Sequence, residues 1–248
     1  MELDLVAGLL LVLGGVAAGF INTVAGGGSA ITLPVLVEIL GDPLMANGTN
    51  RVAILLQNAV GVAGFQKGKA VPWKIAVPLI PPVIVGALAG SWTATQIDPD
   101  TMEVVFAFVI VGVAASVLIS PKRWEGGGDP RLGPWGNAIV FTVIGFYGGF
   151  VQAGVGFMLL AGLVIGGGLT LVTGNAAKVL LVLAFTAVAL PVFVVAGQVA
   201  LLAGLVLAVG NMTGAWIASR LAVEKGAGWI RWVLIVAALA AAARMLLR

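Results

Sequence analysis

The chain has 248 residues; 60% are hydrophobic, 9% are charged and the mean hydropathy is +1.14. Soluble domains carry about 25% charged residues, so a water-soluble fold is excluded and a polytopic α-helical membrane protein is expected. The chain has no cysteine and no histidine, which removes disulfides, thiolate chemistry, the commonest metal ligand and the usual proton shuttle. The net charge of +3 reads as loop charge flanking membrane segments, not as a nucleic-acid surface. The acidic start Met1-Glu2-Leu3-Asp4 lacks the basic region of a signal peptide, so the first apolar stretch is expected to persist as a helix.

Ten apolar segments follow in chain order. The first five cover roughly 3–24, 30–41, 47–66, 74–97 and 102–120. The second five cover roughly 135–153, 157–171, 176–197, 199–221 and 228–247. Segments two and seven are too short for a hydrocarbon core of about 30 Å, and are expected to be broken or re-entrant helices. The polar stretch from Pro121 to Arg131 reads as a linker. The expected organisation is a first transmembrane repeat (1–120), a cytoplasmic linker (121–134) and a second repeat (135–248).

Charge placement sets an expected orientation. Lys67, Lys69 and Lys74, then Lys122, Arg123 and Arg131, then Arg220, Lys225 and Arg231 occupy three connections that fall on one side if every segment crosses. Asp98, Asp100 and Glu103 lie on the other side. The positive-inside rule makes the basic side cytoplasmic and the N-terminus external. Arg244 and Arg248 weigh against this, unless they interact with a helix C-terminus.

The halves resemble each other. Gly86-Ala-Leu-Ala-Gly90-Ser-Trp92 matches Gly210-Asn-Met-Thr-Gly214-Ala-Trp216. Ala25-Gly26-Gly27-Gly28 matches Ala153-Gly154-Val155-Gly156, and Arg51-Val52 matches Lys178-Val179. With five segments per half, the second half enters the membrane inverted, an arrangement common in secondary transporters. The GxxxG spacings read as packing faces and would also permit a homodimer.

The two glycine clusters are the candidate binding elements. Consecutive glycines break a helix, and unwound backbone inside a membrane is tolerated only where protein or a cavity covers it. Asn22, Thr23, Gly26, Gly27, Gly28 and Ser29 form the first candidate set; Gln152, Gly154 and Gly156 form the second. Their free amides suit a small anion, although tight packing explains glycines equally well. Asn50, Arg51 and Lys178 lie inside apolar sequence near helix-capping residues. A buried cation needs a partner: either an anionic substrate, or Glu38 or Asp42 for Arg51, or snorkelling to the surface for Lys178. Gln57 and Asn58 sit mid-helix, where one can line a pathway while the other bonds a neighbouring helix; Gln57 is counted with the candidate binding residues. Tyr147, the single tyrosine, reads as an interfacial or packing residue.

At these residues the chain resembles the TauE/SafE family of sulfite and organosulfonate exporters. The carrying motifs are Gly19-Phe-Ile-Asn-Thr-Val-Ala-Gly-Gly-Gly-Ser29, Thr32-Leu-Pro34 and Ala46-Asn-Gly-Thr-Asn-Arg-Val-Ala53, with a weaker match at Ala176-Ala-Lys-Val179. The resemblance implies a plasma-membrane permease, without cofactor or metal, for a small sulfur-containing anion. Phe150 and Val151 stand where the first half has Asn22 and Thr23, so the second hairpin offers fewer side-chain contacts. No P-loop pattern is present, which argues against ATP-driven transport by this chain alone. An intramembrane enzyme is the rival class, with Glu38 its one embedded acid candidate.

Overall fold

The computed structural model describes residues 3–117 and 133–246, with side chains through 109 in the first stretch and, apart from position 227, through 230 in the second. Pro134 of the expected linker already opens a helix, whereas residues 121–132, with the linker's basic residues, lie outside the described residues. So do the side chains of Arg231 and Arg244, and Arg248 entirely.

Every element among the described residues is a helix. Helix α1 spans Leu5–Val24, with Asp4 accepting the Ala7 amide at 2.6 Å. Helix α2 is Ser29–Leu40, closed by Gly41 in the left-handed conformation. Helix α3, Pro43–Lys67, starts with proline at its first turn and with Asp42 accepting the Leu44 and Met45 amides at 2.7 and 3.2 Å, a strong N-terminal signal. Helix α4, Trp73–Ala94, carries a tight turn at Val77–Leu79 among its prolines. Helix α5, Pro99–Val117, is capped by Asp98, whose carboxyl is held below its ordinary range by the Thr101 amide and then by the Thr101 hydroxyl.

The second half repeats this order. Helix α6 is Pro134–Phe150. Helix α7, Val155–Gly166, widens into a π turn from Ala161. Helix α8, Leu171–Val195, is capped by Thr170. Helix α9, Leu201–Gly226, turns at Gly226 (φ 73°) into α10, residues 227–246. Helices α3 and α8 therefore begin about one turn earlier than the sequence suggested. Asn47, Asn50, Arg51, Asn175 and Lys178 sit within helices, not at their caps.

Helices α1, α4, α8 and α9 are long and apolar enough to cross a membrane, while α2 and α7 are short. Their outward faces are apolar: Leu9 and Leu13 on α1, Val85 and Trp92 on α4, and Ile139 and Val143 on α6 are all exposed. Water would not tolerate that surface, and lipid does.

The halves interlock. Helix α1 packs on α9 and α6 on α4, so the first helix of each half lies against the fourth of the other. Helices α3 and α8 pack together at the centre and carry most of the buried polar side chains. The GxxxG spacings serve these seams. A Cβ on Gly86 or Gly90 would meet the Thr142 or Phe146 carbonyl of α6. One on Gly210 or Gly214 would meet the Val12 or Val16 carbonyl of α1. Both glycine faces are thus used within the chain, and a homodimer would need another surface. Gly210→Ala is expected to cost about 1–3 kcal/mol through overpacking, read as a lowered melting temperature. Gly8→Ala, with nothing within 4 Å of its Cβ, is the control, and equal melting of the two proteins would refute the seam.

Candidate functional site: the crossing of two broken helices

Helix α1 ends at Val24 and the chain turns through Gly26 at φ 93°. Helix α6 ends at Phe150 and turns through Gln152 at φ 68° and Gly154 at φ 73°. The two turns touch: a Cβ on Gly26 would overlap the Gly156 backbone, and one on Gly156 would overlap Gly26. Glycine is required here by close approach and, at Gly26, also by its left-handed backbone. Gly28 folds back on α1, where a Cβ would meet the Ala18 carbonyl. No space remains for a ligand between Gly26 and Gly156. Available space lies to one side of the crossing.

A helix that stops inside the protein leaves its last carbonyls without intrahelical partners and concentrates negative dipole there. Each broken helix is closed by a cation from the other half. Lys178 of α8 is 1% exposed and donates from Nζ to the Asn22 carbonyl (2.9 Å), the Thr23 carbonyl (2.8 Å) and Asn175 Oδ1 (2.6 Å). Arg51 of α3 is fully buried and reaches the end of α6. Its Nη1 donates to the Gly148 carbonyl (3.0 Å), and its Nη2 donates to Gly149 (2.6 Å), Phe150 (3.3 Å) and Asn47 Oδ1 (3.4 Å). Asn47 Nδ2 adds a bond to the Phe150 carbonyl at 2.8 Å. The guanidinium also stacks over Phe193, 4.3 Å from the ring centre, while its Nε has no partner. Lys178 does not snorkel. Arg51 does not pair with Glu38, which is exposed, or with Asp42, which caps α3.

The cations differ in what they face. A small cavity of about 10 Å³, close to the room a single water needs, is lined by Asn22, Ile54, Asn58, Gln152, Val155, Gly156, Lys178 and Val182. Arg51 is not among them. Asn22 Nδ2 donates to Gln57 Oε1 at 3.4 Å, and Asn211 Nδ2 donates to the same oxygen at 3.1 Å. Gln152 Nε2 donates to Thr186 Oγ1 at 2.7 Å, leaving Gln152 Oε1 buried without a partner.

Of the residues expected from sequence, Asn22, Gln152, Gly156 and Lys178 meet at the cavity. Gly26 and Gly154 form the turns, and Gly27 is buried between Gly26 and Gly28. Gln57 stands behind Asn22. Thr23 turns its hydroxyl back to the Gly19 carbonyl at 2.8 Å and contributes its own carbonyl to Lys178. Ser29 and Asn50 form a separate cluster with Thr32: Thr32 Oγ1 donates to Asn50 Oδ1 (2.8 Å) and Asn50 Nδ2 to Ser29 Oγ (3.3 Å). Tyr147 donates to the Ala153 carbonyl at 2.6 Å, bracing the second turn. Sequence reasoning missed Asn175, Thr186 and Asn211. Asn175 stands one turn before Lys178, and Asn211 lies between the glycines of a GxxxG; either spacing offered a signal.

Long apolar helices with exposed apolar faces, enclosing buried amides and a buried ammonium, define a polytopic membrane protein. The chain belongs to the family described as sulfite exporter TauE/SafE, which matches residues 11–245. It is 29% identical over 234 residues to a "Probable membrane transporter protein ORF9" from Sinorhizobium sp, covering 92% of this chain and 88% of that protein. It is 28% identical over 230 residues to "Probable membrane transporter protein YfcA" of Escherichia coli (strain K12), covering 92% and 86%. A "Probable membrane transporter protein" of Haemophilus influenzae is 26% identical over 244 residues, covering 98% and 95%. No solved structure gives a significant match.

Proposed function

We propose that the chain is a secondary transporter or facilitator, not an enzyme, for a small sulfur-containing oxyanion such as sulfite or an organosulfonate. One observation carries this reading. Lys178 is buried at a cavity among neutral amides, and its hydrogen-bond partners are all uncharged. An ionisable residue at membrane depth is costly and marks a functional position by default; Lys178, unlike Arg51, borders the cavity, from which an anion can complete its charge balance. Asn22, Asn58 and Gln152 supply polar contacts around it. The family description favours the sulfur oxyanions over other small anions.

The reading includes two inverted repeats, 1–120 and 135–248, joined by the linker 121–134 and exchanging access on either side of the crossing. The reciprocal helix pairing and the reciprocal cation clasps support it. It places the protein in the plasma membrane with the N-terminus outside. Cysteine substituted for exposed Lys67 in this cysteine-free chain should resist an impermeant thiol reagent in intact cells, whereas cysteine substituted for exposed Asp100 should react. The reverse labelling would overturn the orientation.

Uptake of labelled sulfite into proteoliposomes tests the function, with sulfoacetate, sulfate and chloride as competitors. Saturable uptake, blocked by sulfoacetate more strongly than by chloride, is the expected result. Saturable uptake of chloride alone would favour a different small anion. If none of these anions moves or binds, the transport reading fails.

A further inference from the structure

We infer that the transported anion binds by displacing the C-terminus of α1 from Lys178, so that binding and release of the first hairpin are one event. The inference rests on the reading that the cavity beside Lys178 holds the anion. It follows from counting donors. An ammonium has three N–H groups and no acceptor, and here all three are engaged, with the Asn22 carbonyl, the Thr23 carbonyl and Asn175 Oδ1. An anion reaching Nζ from the cavity must therefore take a place now held by one of these.

The carbonyls are the partners most readily given up. Asn175 lies on the same helix, three residues before Lys178, and moves with it. The α1 carbonyls belong to the other half. Asn22 also lines the cavity, so one of the two carbonyls to be displaced belongs to a residue that already borders the anion's site. Both the helix end and the anion present negative charge to the ammonium, and a full charge makes the stronger hydrogen bond. Once freed, α1's end loses its only cationic anchor among the described residues, and Gly26 follows directly after it. Arg51 provides the contrast: it stands away from the cavity, grips three α6 carbonyls and stacks on Phe193. One broken helix is fixed and the other is exchangeable.

Hydrogen–deuterium exchange on the purified full chain tests this, with sulfite and sulfoacetate as probes and chloride as control. Binding is measured separately by calorimetry. At saturating probe, amide exchange across residues 20–28 is expected to rise about tenfold, with residues 146–154 unchanged. Lys178→Met is expected to show the raised exchange without any probe, no further rise with it, and binding weakened about tenfold or more. If Lys178→Met does not fold, the wild-type comparison still decides. Sulfite binding with unchanged exchange across 20–28 would overturn the displacement while leaving the cavity reading intact. Failure of wild type to bind either probe would overturn both.

Discussion

Gly26→Ala is expected to destabilise the protein by about 2–5 kcal/mol: about 1–2 for a side chain in the left-handed region and about 1–3 for overpacking. The contact it would break is backbone against backbone, Gly26 on Gly156, so no side-chain rotation can relieve it. The crossing would have to open and the clasps at Asn22 and Thr23 would shift. Gly156→Ala isolates the contact, because Gly156 has no left-handed backbone, and should cost about 1–3 kcal/mol. Gly14→Ala, in α1 with nothing within 4 Å, should be neutral or stabilising by up to about 1 kcal/mol. Melting temperatures in one detergent compare the three proteins. A Gly26→Ala protein that melts with wild type would mean the turns do not touch.

Arg51→Met is expected to cost about 2–6 kcal/mol, from about 1–3 for each of the two buried carbonyls, Gly148 and Gly149, left without their cation. Phe150 would keep its bond from Asn47. Arg51→Lys should restore part of the loss, since a point charge cannot reproduce the fork or the stacking on Phe193. Adding Glu38→Gln should rescue nothing, because Glu38 is not the partner. Protein that remains folded should bind sulfite with wild-type affinity, since Arg51 does not line the cavity. A rescue by Glu38→Gln, or a folded Arg51→Met protein with lost affinity, would contradict the fixed-clasp assignment.

Much of this arrangement is legible in the sequence, and the remainder fails for physical reasons. The helices follow from charge-free apolar runs, and the breaks from glycine clusters. The GxxxG spacings read as packing faces, and in the structure they pack α4 on α6 and α9 on α1. Asn47 and Asn175 resemble caps in the sequence, yet α3 and α8 begin about a turn before them. The Asp42-Pro43 pair carried the stronger signal for α3. Arg51 and Lys178 stood out as embedded cations, but their partners did not. Those partners are main-chain carbonyls of the opposite half, which carry no residue-type signature and become neighbours only through the crossing. Gln57 is the binding-site candidate in the sequence, yet its neighbour Asn58 is the residue at the cavity. Adjacent helical residues point about 100° apart, and only packing decides that Asn58 lines the cavity while Gln57 bonds Asn22 and Asn211.

If the Lys178 ammonium beside the crossing holds the anion, the ion's position is directly observable. Anomalous diffraction from crystals soaked in selenite, a heavier oxyanion of sulfite-like chemistry, locates the ion directly. An anomalous peak is expected in the cavity bounded by Asn22, Asn58, Gln152 and Lys178, within hydrogen-bond distance of Lys178 Nζ, and is expected to be lost in Lys178→Met. A selenite peak elsewhere in the bundle, or one that persists at full height in Lys178→Met, would contradict it.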